Sequence, residues 1–195
     1  MVAGVDSYIE PLTLEWLEAN DQLHSAGPLN NAWDFIPGAA GAALLLMRES
    51  VAQAPGRQVL AVVLGTGTSK EPKCIKTETV CIGEGLTQSF RNALAALPAG
   101  TKVSDIYCDM NGEPYRADEF GFTALRTKES FESASDFIAP ADCWGDVAVA
   151  GGPLHLMLAS VAGVKGYNNG AFAFAWSSAE PGERAATLIA TAGRA

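Results

Sequence analysis

The sequence predicts an α/β fold, and three patterns carry that prediction. Residues 59–64 form a β-branched apolar run, which is typical of a central strand. Apolar side chains recur every three or four residues from Leu86 to Leu97, which places them on one face of a helix. Residues 154–164 are apolar almost all round, so we expect a helix that is buried on more than one side. Strands that alternate with helices indicate the α/β class.

The remaining elements follow from local signals along the chain. Thr13 is expected to cap a short helix that ends near Asn20. The string Gly65-Thr66-Gly67-Thr68 predicts a tight turn at the end of the strand, because it lacks the lysine and the third glycine of nucleotide-binding loops. The small apolar residues 39–47 predict a buried strand, with a helix as the alternative because periodicity alone does not separate the two. Further strands are predicted at residues 103–108, 137–138, 172–176 and 185–190, and a further helix at residues 115–130.

The composition argues against several classes of function. The net charge is -9, the sequence pI is near 4.6, and no Lys/Arg-rich run exists, so we expect no nucleic-acid binding. The longest apolar stretch is residues 39–47, whereas a membrane-spanning helix needs about 20 residues. Residues 1–6 contain neither a basic region nor a long apolar stretch, so we expect no signal sequence. We therefore expect a cytoplasmic protein without membrane insertion, with buried and reduced thiols at four scattered positions, Cys74, Cys81, Cys108 and Cys143.

Four stretches occur in an order that is typical of one family. The first joins Gly4-Val5-Asp6-Ser7-Tyr8 to a glycine-rich turn and apolar strand at residues 35–42. The second is residues 107–114, and the third is residues 141–147, which precede small residues and an apolar helix. The fourth is residues 176–186. Together they resemble the part of β-ketoacyl synthases, which have the thiolase fold, that follows the catalytic cysteine. Within that superfamily, the second stretch resembles divergent thiolase-like proteins encoded with bacterial type VI secretion clusters.

This resemblance implies one complete half of the two-half thiolase fold plus the tail of the other half. The expected architecture is a mixed sheet with helices on both faces. The turn Ala54-Pro55-Gly56 is the predicted boundary. Residues 1–54 are then the tail of the N-terminal half, and residues 55–195 are the C-terminal half, packed as one compact unit. The family's nucleophilic cysteine lies ahead of the segment matched here.

The resemblance also places Asp109 and Asp146 where the family has its two active-site histidines. Those histidines assist decarboxylation and stabilise an oxyanion, whereas an ionised carboxylate only accepts hydrogen bonds. We therefore expect no catalytic residues, no cofactor and no metal. The positions of the altered active site are Asp109, Asn111, Cys143, Trp144, Gly145 and Asp146.

Other reactive side chains have plainer interpretations. His24 lies in a predicted loop and is expected to be solvated, whereas His155 lies in the apolar helix and is expected to be packed or at an interface. Cys143 has no histidine nearby in the sequence, so an inert thiol is favoured over a nucleophile. The acidic residues around Asp109 and Asp146 do not have the spacing of an EF-hand loop.

Three functions are compatible with the sequence, and enzymatic activity is the less favoured. The preferred one is a non-catalytic protein that acts through protein–protein contacts, as an accessory or chaperone-like factor in bacterial secretion. Its partner is the missing half or a second copy, because the central helix would otherwise expose apolar surface. The expected contacts are Leu154, His155, Met157, Leu158 and Val161. The alternatives are a subunit of a split condensing acyltransferase whose cysteine lies on another chain, and an acyl-ligand-binding module near Trp144 and Trp176.

Overall fold

The computed structural model describes residues 1–25, 31–74 and 79–191, and its strands form two sheets. β1 (Val2–Ser7) pairs antiparallel with β2 (Ala39–Leu44). The larger sheet has the strand order β3-β6-β5-β4, and its members are β3 (Ala61–Lys70), β4 (Asp105–Cys108), β5 (Phe172–Ser178) and β6 (Glu183–Thr191). β4 and β5 are parallel, whereas the other neighbouring strands are antiparallel, so the predicted mixed sheet is confirmed.

Helices connect these strands. In chain order they are α1 (Pro11–Ala19), α2 (Glu49–Ala52), α3 (Glu84–Leu94), α4 (Pro114–Thr127), α5 (Ala141–Trp144) and α6 (Gly151–Lys165). Short 3-10 turns cover Lys128–Ser130 and Ala148–Ala150. The three long helices predicted from the sequence therefore correspond to α3, α4 with its 3-10 extension, and α6.

The side chains of strand β5 alternate between the two faces of the larger sheet. Phe174 and Trp176 belong to one apolar core, together with side chains of α3 and α4. Ala173 and Ala175 alternate with them and belong to a second core on the opposite side, which includes Ala159 of α6. Successive side chains of a strand point to opposite faces. The predicted arrangement of helices on both faces of the sheet is thus confirmed.

The prediction of a turn at residues 65–68 is wrong, because β3 continues through these residues to Lys70. Its two glycines serve close packing instead. A Cβ added at Gly65 would lie 2.3 Å from the carbonyl oxygen of Ala93, and one at Gly67 would lie 2.0 Å from that of Ser89. Both oxygens belong to α3. The glycines therefore let this helix approach the strand more closely than any side chain would allow.

Three smaller predictions also need correction. Helix α1 begins at Pro11 with Glu10 at the N-cap, and Thr13 lies inside its first turn. Proline favours the first position of a helix because its φ angle is already helical. In residues 137–138, only Ile138 pairs, through an isolated bridge to Tyr107. Strand β1 was not predicted, because its short alternation of apolar and small residues carries little signal.

Helix α6 contacts strands of both sheets but is buried along only one stripe. That stripe is Gly151, His155, Ala159 and Gly163, a four-residue spacing that defines one helical face. The expected burial on more than one side is therefore not reached within this chain. Likewise, only Ala42 of β2 is buried, although a buried strand was predicted there.

The helical stretch Ala148–Lys165 satisfies length and composition criteria for a membrane span, with a mean hydropathy of 1.2. Core helices of soluble proteins satisfy the same criteria. Here the apolar character has a local explanation, since α6 packs against β5 and β4 on the sheet. The cytoplasmic location inferred from the sequence stays a prediction.

The predicted boundary at residues 54–55 separates the two sheets, since β1 and β2 precede it and β3 to β6 follow it. The assignment of these parts to two thiolase halves stays a prediction. None of the four cysteines forms a disulfide bond in the part of the chain that the structure describes. Cys81 and Cys108 are buried, as expected, but Cys74 is only partly buried and Cys143 is exposed, so the expectation of burial fails at these two positions.

Candidate functional site

A cleft of about 650 Å³ lies where the N-terminal segment meets the carboxyl ends of β4 and β5. Tyr8, Trp16 and Phe35 line it from the N-terminal side. The residues that follow the two parallel strands, among them Asp109 and Ser178, line it from the other side. Ligands of open α/β sheets commonly bind outside the carboxyl ends of strands, and the volume lies in the usual range of about 300–1,000 Å³.

Asp109 follows β4 and is held at the wall of this cleft. Its Oδ2 accepts a hydrogen bond of 2.8 Å from Nη1 of Arg116 and one of 2.6 Å from the backbone N–H of Ser178. Its Oδ1 is buried and has no hydrogen-bond partner among the described residues. One carboxylate oxygen is therefore fixed by the fold, and the other is open to a ligand or a proton.

The pKa of Asp109 is raised from its ordinary value of 3.8 to about 6. Burial is the main cause, and the nearby Asp146 carboxylate adds to it. Arg116 and the Ser178 N–H oppose the shift. At neutral pH the ionised form still predominates by about ten to one. Asp109 is therefore mainly a hydrogen-bond acceptor, in agreement with the sequence-based expectation.

Arg116, in the first turn of α4, donates hydrogen bonds to Asp109, Glu113 and the carbonyl oxygen of Ser178. Its Nε donates to Oε2 of Glu113 over 2.8 Å, and its Nη1 also donates to the carbonyl oxygen of Ser178 over 2.8 Å. Burial alone would lower the pKa of Arg116, but Asp109 and Glu113 raise it above the ordinary value. The guanidinium stays charged and offsets part of the negative charge of the Asp109 and Glu113 carboxylates.

Asn111 connects Asp146, one of the two carboxylates at family histidine positions, to Glu113. Its Nδ2 donates to Oδ2 of Asp146 over 2.7 Å and to Oε2 of Glu113 over 2.9 Å. The other oxygen of Asp146 accepts a hydrogen bond of 2.8 Å from the backbone N–H of Ala148. Asp109 and Asp146 thus belong to one network that runs through Arg116, Glu113 and Asn111.

Gly145 places Asp146 against the N-terminal segment. Its φ of +78° is in the left-handed region, and a Cβ there would lie 2.7 Å from the carbonyl oxygen of Ile36. The backbone N–H of Asp146 donates to that oxygen over 2.7 Å, and the Asp146 carbonyl accepts from Gly38 over 2.8 Å. Only glycine combines this backbone conformation with so close an approach.

His155 is buried in α6 near the cleft but does not line it. An added Cβ on the cleft residue Gly151 would lie 3.7 Å from Cε1 of His155. Burial lowers the pKa of His155 to about 4, against the opposing effect of Asp146. The imidazole is neutral at pH 7, and its Nδ1 has no hydrogen-bond partner among the described residues. Because only 3% of it is exposed, His155 contributes no surface to an interface in this chain.

Two tyrosines supply hydroxyl groups to the cleft. Burial raises the pKa of Tyr8 to about 12, with help from Asp146 and Asp6. Burial also raises the pKa of Tyr115, whose hydroxyl is buried without a hydrogen-bond partner among the described residues. Both groups stay protonated, so they can donate hydrogen bonds to a ligand.

The sequence matches no protein-family model and no curated protein. Solved structures do resemble it. The ketosynthase from module 6 of the bacillaene synthase of Bacillus subtilis 168 superposes with a TM-score of 0.79 at 15% identity, over 97% of this chain and 42% of that one. An oxazolomycin ketosynthase domain from Streptomyces albus JA3453 gives a TM-score of 0.74 at 16% identity, over 97% and 41%.

A third structure is a type II polyketide ketosynthase in complex with its acyl-carrier protein, with a TM-score of 0.77 at 14% identity, over 96% of this chain and 54% of that one. The chain has a ketosynthase-like half-fold. It spans about half the length of these neighbours, and identities this low establish the fold alone. Nothing in the comparisons supports the predicted link to type VI secretion.

Within this half-fold, the residues predicted for the altered site do not all meet in the cleft. Asp109 and Asp146 line it, and Asn111 binds Asp146 and reaches Asp109 only through Glu113 and Arg116. Cys143 is exposed on α5 outside the cleft lining. Trp144 does not line the cleft either, and Trp176 is buried in the aromatic core, stacked on Phe120. The predicted acyl site near the two tryptophans is therefore misplaced.

The sequence analysis missed Tyr8, Tyr115 and Arg116 as cleft residues. The signal for Arg116 was available, because a basic residue in the first turn of a helix, close behind Asp109 and Glu113, suggests a buried ion pair. The tyrosines could not be found this way. Tyr8 reaches the cleft only because β1 packs against the 3-10 turn that precedes α6.

Proposed function

We propose that this chain is a ketosynthase-like protein without condensing activity of its own, and that it acts through contact with a second polypeptide. The observation that carries the proposal is an apolar groove of about 1,150 Å³ between β2, β3 and α6. Its lining includes Met157, Val161 and Ile189, together with residues 43–47 and 59–63. A groove that is lined mainly by exposed apolar side chains is a candidate interaction site.

The groove is formed by elements whose apolar side chains remain partly exposed to solvent. Val161 is 43% exposed on α6, and Val62 is 50% exposed on β3. Of the contacts predicted on α6, Met157 and Val161 line the groove, whereas the partly buried Leu154 and Leu158 do not. His155 is excluded by its burial. The occupant proposed is a chain with the remaining ketosynthase half, because this chain spans 42% of a complete neighbour.

Two features of the structure support the proposed lack of independent condensing activity. The two carboxylates of Asp109 and Asp146 occupy positions of oxyanion-stabilising histidines in the resemblance, and each is an acceptor in the network described above. Cys143 is an exposed thiol with no histidine described near it. An accessory role in type VI secretion is the narrower form of this proposal, and it rests on the sequence resemblance alone.

The test uses charge insertion in the groove. Val161→Lys should abolish association of the purified chain, either with itself or with a co-expressed ketosynthase-like half, as measured by light scattering after size exclusion. Leu125→Lys is the matched control, because Leu125 is 70% exposed on α4, which packs on the other face of the sheet. A wild-type chain that is a monodisperse monomer and binds no dye specific for apolar surface would contradict the proposal.

A second candidate function is a subunit of a split condensing acyltransferase. It is favoured by the neighbour that was solved as a ketosynthase in complex with its acyl-carrier protein bound to the hexaketide. Mixing the chain with a cysteine-bearing half and a radiolabelled acyl donor tests it. A covalent acyl-thioester that forms only when both chains are present supports this function, and its absence eliminates it.

The cleft itself suits a third function, the binding of an acyl ligand. Tyr8 and Tyr115 offer donors, and Trp16 lines the cleft as a fluorescent reporter. Acyl-coenzyme A should quench the wild-type fluorescence, and Trp16→Phe should remove that quenching. Trp33→Phe is the control, because Trp33 is 70% exposed and does not line the cleft. Equal quenching in both variants would place the ligand elsewhere.

A further inference from the structure

A second cluster of reactive side chains lies behind the cleft, at the junction of three elements. Glu71 follows β3, Cys81 precedes α3, and Glu119 lies within α4. One ligand atom from each of the three residues lies within 4.8 Å of the others, and all three residues are buried. The sequence analysis gave no reason to expect this cluster, because its members are 10 and 38 residues apart in the chain.

Only one of the two carboxylate oxygens of Glu71 accepts a hydrogen bond from the described residues. Its Oε2 accepts a hydrogen bond of 2.7 Å from the backbone N–H of Gly85, at the start of α3. Its Oε1 has no hydrogen-bond partner among the described residues. The oxygen is buried, and only 1% of the residue is exposed. A buried carboxylate oxygen without a partner costs free energy. It therefore indicates that a cation or a proton belongs next to it.

The charges point to a cation. Glu119 is paired with Arg184, whose Nε lies 2.5 Å from its Oε1. No ion pair of Glu71 occurs in the part of the chain that the structure describes, so its negative charge is left uncompensated. If Cys81 binds as a thiolate, the cluster with Arg184 carries two surplus negative charges. One divalent cation neutralises them.

We propose that Glu71, Cys81 and Glu119 bind one divalent transition-metal cation of the Zn²⁺ class. A thiolate ligand favours such ions over Ca²⁺ and Mg²⁺, which prefer sites made wholly of oxygen. Bonds of about 2.0–2.3 Å to Zn²⁺ require the three ligand atoms to contract around the ion. The fourth position is available for water. This site departs from the expectation, drawn from the sequence, of no metal.

Such an ion would support the cleft from behind. The Oγ of Ser178 lies 3.2 Å from Oε2 of Glu119, and the backbone N–H of the same serine holds Asp109. Arg184, which pairs with Glu119, also lines the cleft. The metal would therefore fix the end of β3, the start of α3 and α4 relative to one another. Its role is structural, since none of the three ligands lines the cleft.

The test uses the whole purified chain, dialysed against a chelator and then titrated with Zn²⁺. We expect about one bound Zn²⁺ per chain by mass spectrometry of the metal, and a rise of several degrees in Tm. Co²⁺ should give a thiolate-to-metal charge-transfer absorption. Cys81→Ser should lose this absorption, and Cys143→Ser, which removes an exposed thiol, should keep it.

Three results would overturn the proposal. The first is a wild-type chain that binds no stoichiometric Zn²⁺ and has the same Tm in chelator and in Zn²⁺. The second is a charge-transfer band that persists in Cys81→Ser. The third is a band lost in Cys143→Ser. If Cys81→Ser does not fold, the wild-type stoichiometry and Tm still decide the question, and Glu71→Gln provides the second variant.

Discussion

The two faces of the larger sheet differ in how far the chain completes them. On the face covered by α3 and α4, the ring of Phe90 has four aromatic neighbours, with centroid distances from 4.7 Å to 6.4 Å. We call this the closed face. On the face covered by α6, the sheet presents two alanines of β5 together with Tyr107 and Ile189, and Val161 and Met157 of the helix remain exposed. We call this the open face.

The difference shows that one strand can serve two different packing requirements. β5 directs Phe174 and Trp176 to the closed face, where they fill the space under two helices. It directs Ala173 and Ala175 to the open face, where small side chains let α6 lie close to the sheet. The closed face is finished by this chain, whereas the outer side of α6 needs a further layer to exclude water.

The largest predicted difference between the two faces concerns the removal of the Phe90 ring from the closed face. Phe90→Ala should lower the free energy of unfolding by about 3–5 kcal/mol, because it leaves a cavity among four aromatic rings. Val161→Ala on the open face should cost less than about 0.5 kcal/mol in the isolated chain. Urea denaturation measures both. Equal losses would show that the open face is as well packed as the closed one.

A pH effect of about 3 kcal/mol is expected from Asp109. Its folded-state pKa of about 6 exceeds the ordinary value of 3.8, so the folded protein binds more protons between these values. Its contribution to stability is present below about pH 4 and is lost as the pH rises through 6. The unfolding free energy of wild type should therefore fall relative to Asp109→Asn over that window. Parallel curves would contradict the shift.

The titration of His155 should change the free energy of unfolding with pH in the opposite direction. Its pKa of about 4 lies below the ordinary 6.5, so its contribution is present above pH 6.5 and is lost as the pH falls through 4. His155→Gln should remove this acid-side loss, by about 3 kcal/mol. The wild-type profile between pH 4 and 6 should then be flatter than that of either variant, measured by chemical denaturation at each pH. A His155→Gln profile that keeps the acid-side loss would place the titrating group elsewhere.

The smallest predicted effects compare two glycines on the closed face. Gly67→Ala should destabilise by about 1–3 kcal/mol, since its Cβ would lie 2.0 Å from a backbone oxygen of α3. Gly121→Ala should stabilise by about 0.5–1 kcal/mol, because this helical glycine of α4 has open space around it. Thermal unfolding distinguishes the two signs. A neutral Gly67→Ala would mean that α3 can shift away from β3.

Much of the fold could be predicted because its strongest signals are local. The β-branched run before Gly65 and the periodic apolar face of α3 gave the right elements. Gly65 and Gly67 were misinterpreted as a turn, since a glycine pair means the same locally whether the chain bends there or a helix packs on it. In the cleft, Asp109 and Asp146 were identified from the resemblance, but Tyr8 and Tyr115 were not.

The sequence by itself determined the α/β class, the mixed sheet through its resemblance, and the acidic residues that stand at the two histidine positions. Those properties depend on residue type and on spacing along the chain. Only the tertiary structure decided that α6 keeps an exposed apolar side, that Arg116 joins Asp109 to Glu113, and that Cys81 meets Glu71 and Glu119. These features depend on contacts between segments far apart in sequence, and such contacts exist only once the sheet and helices have packed.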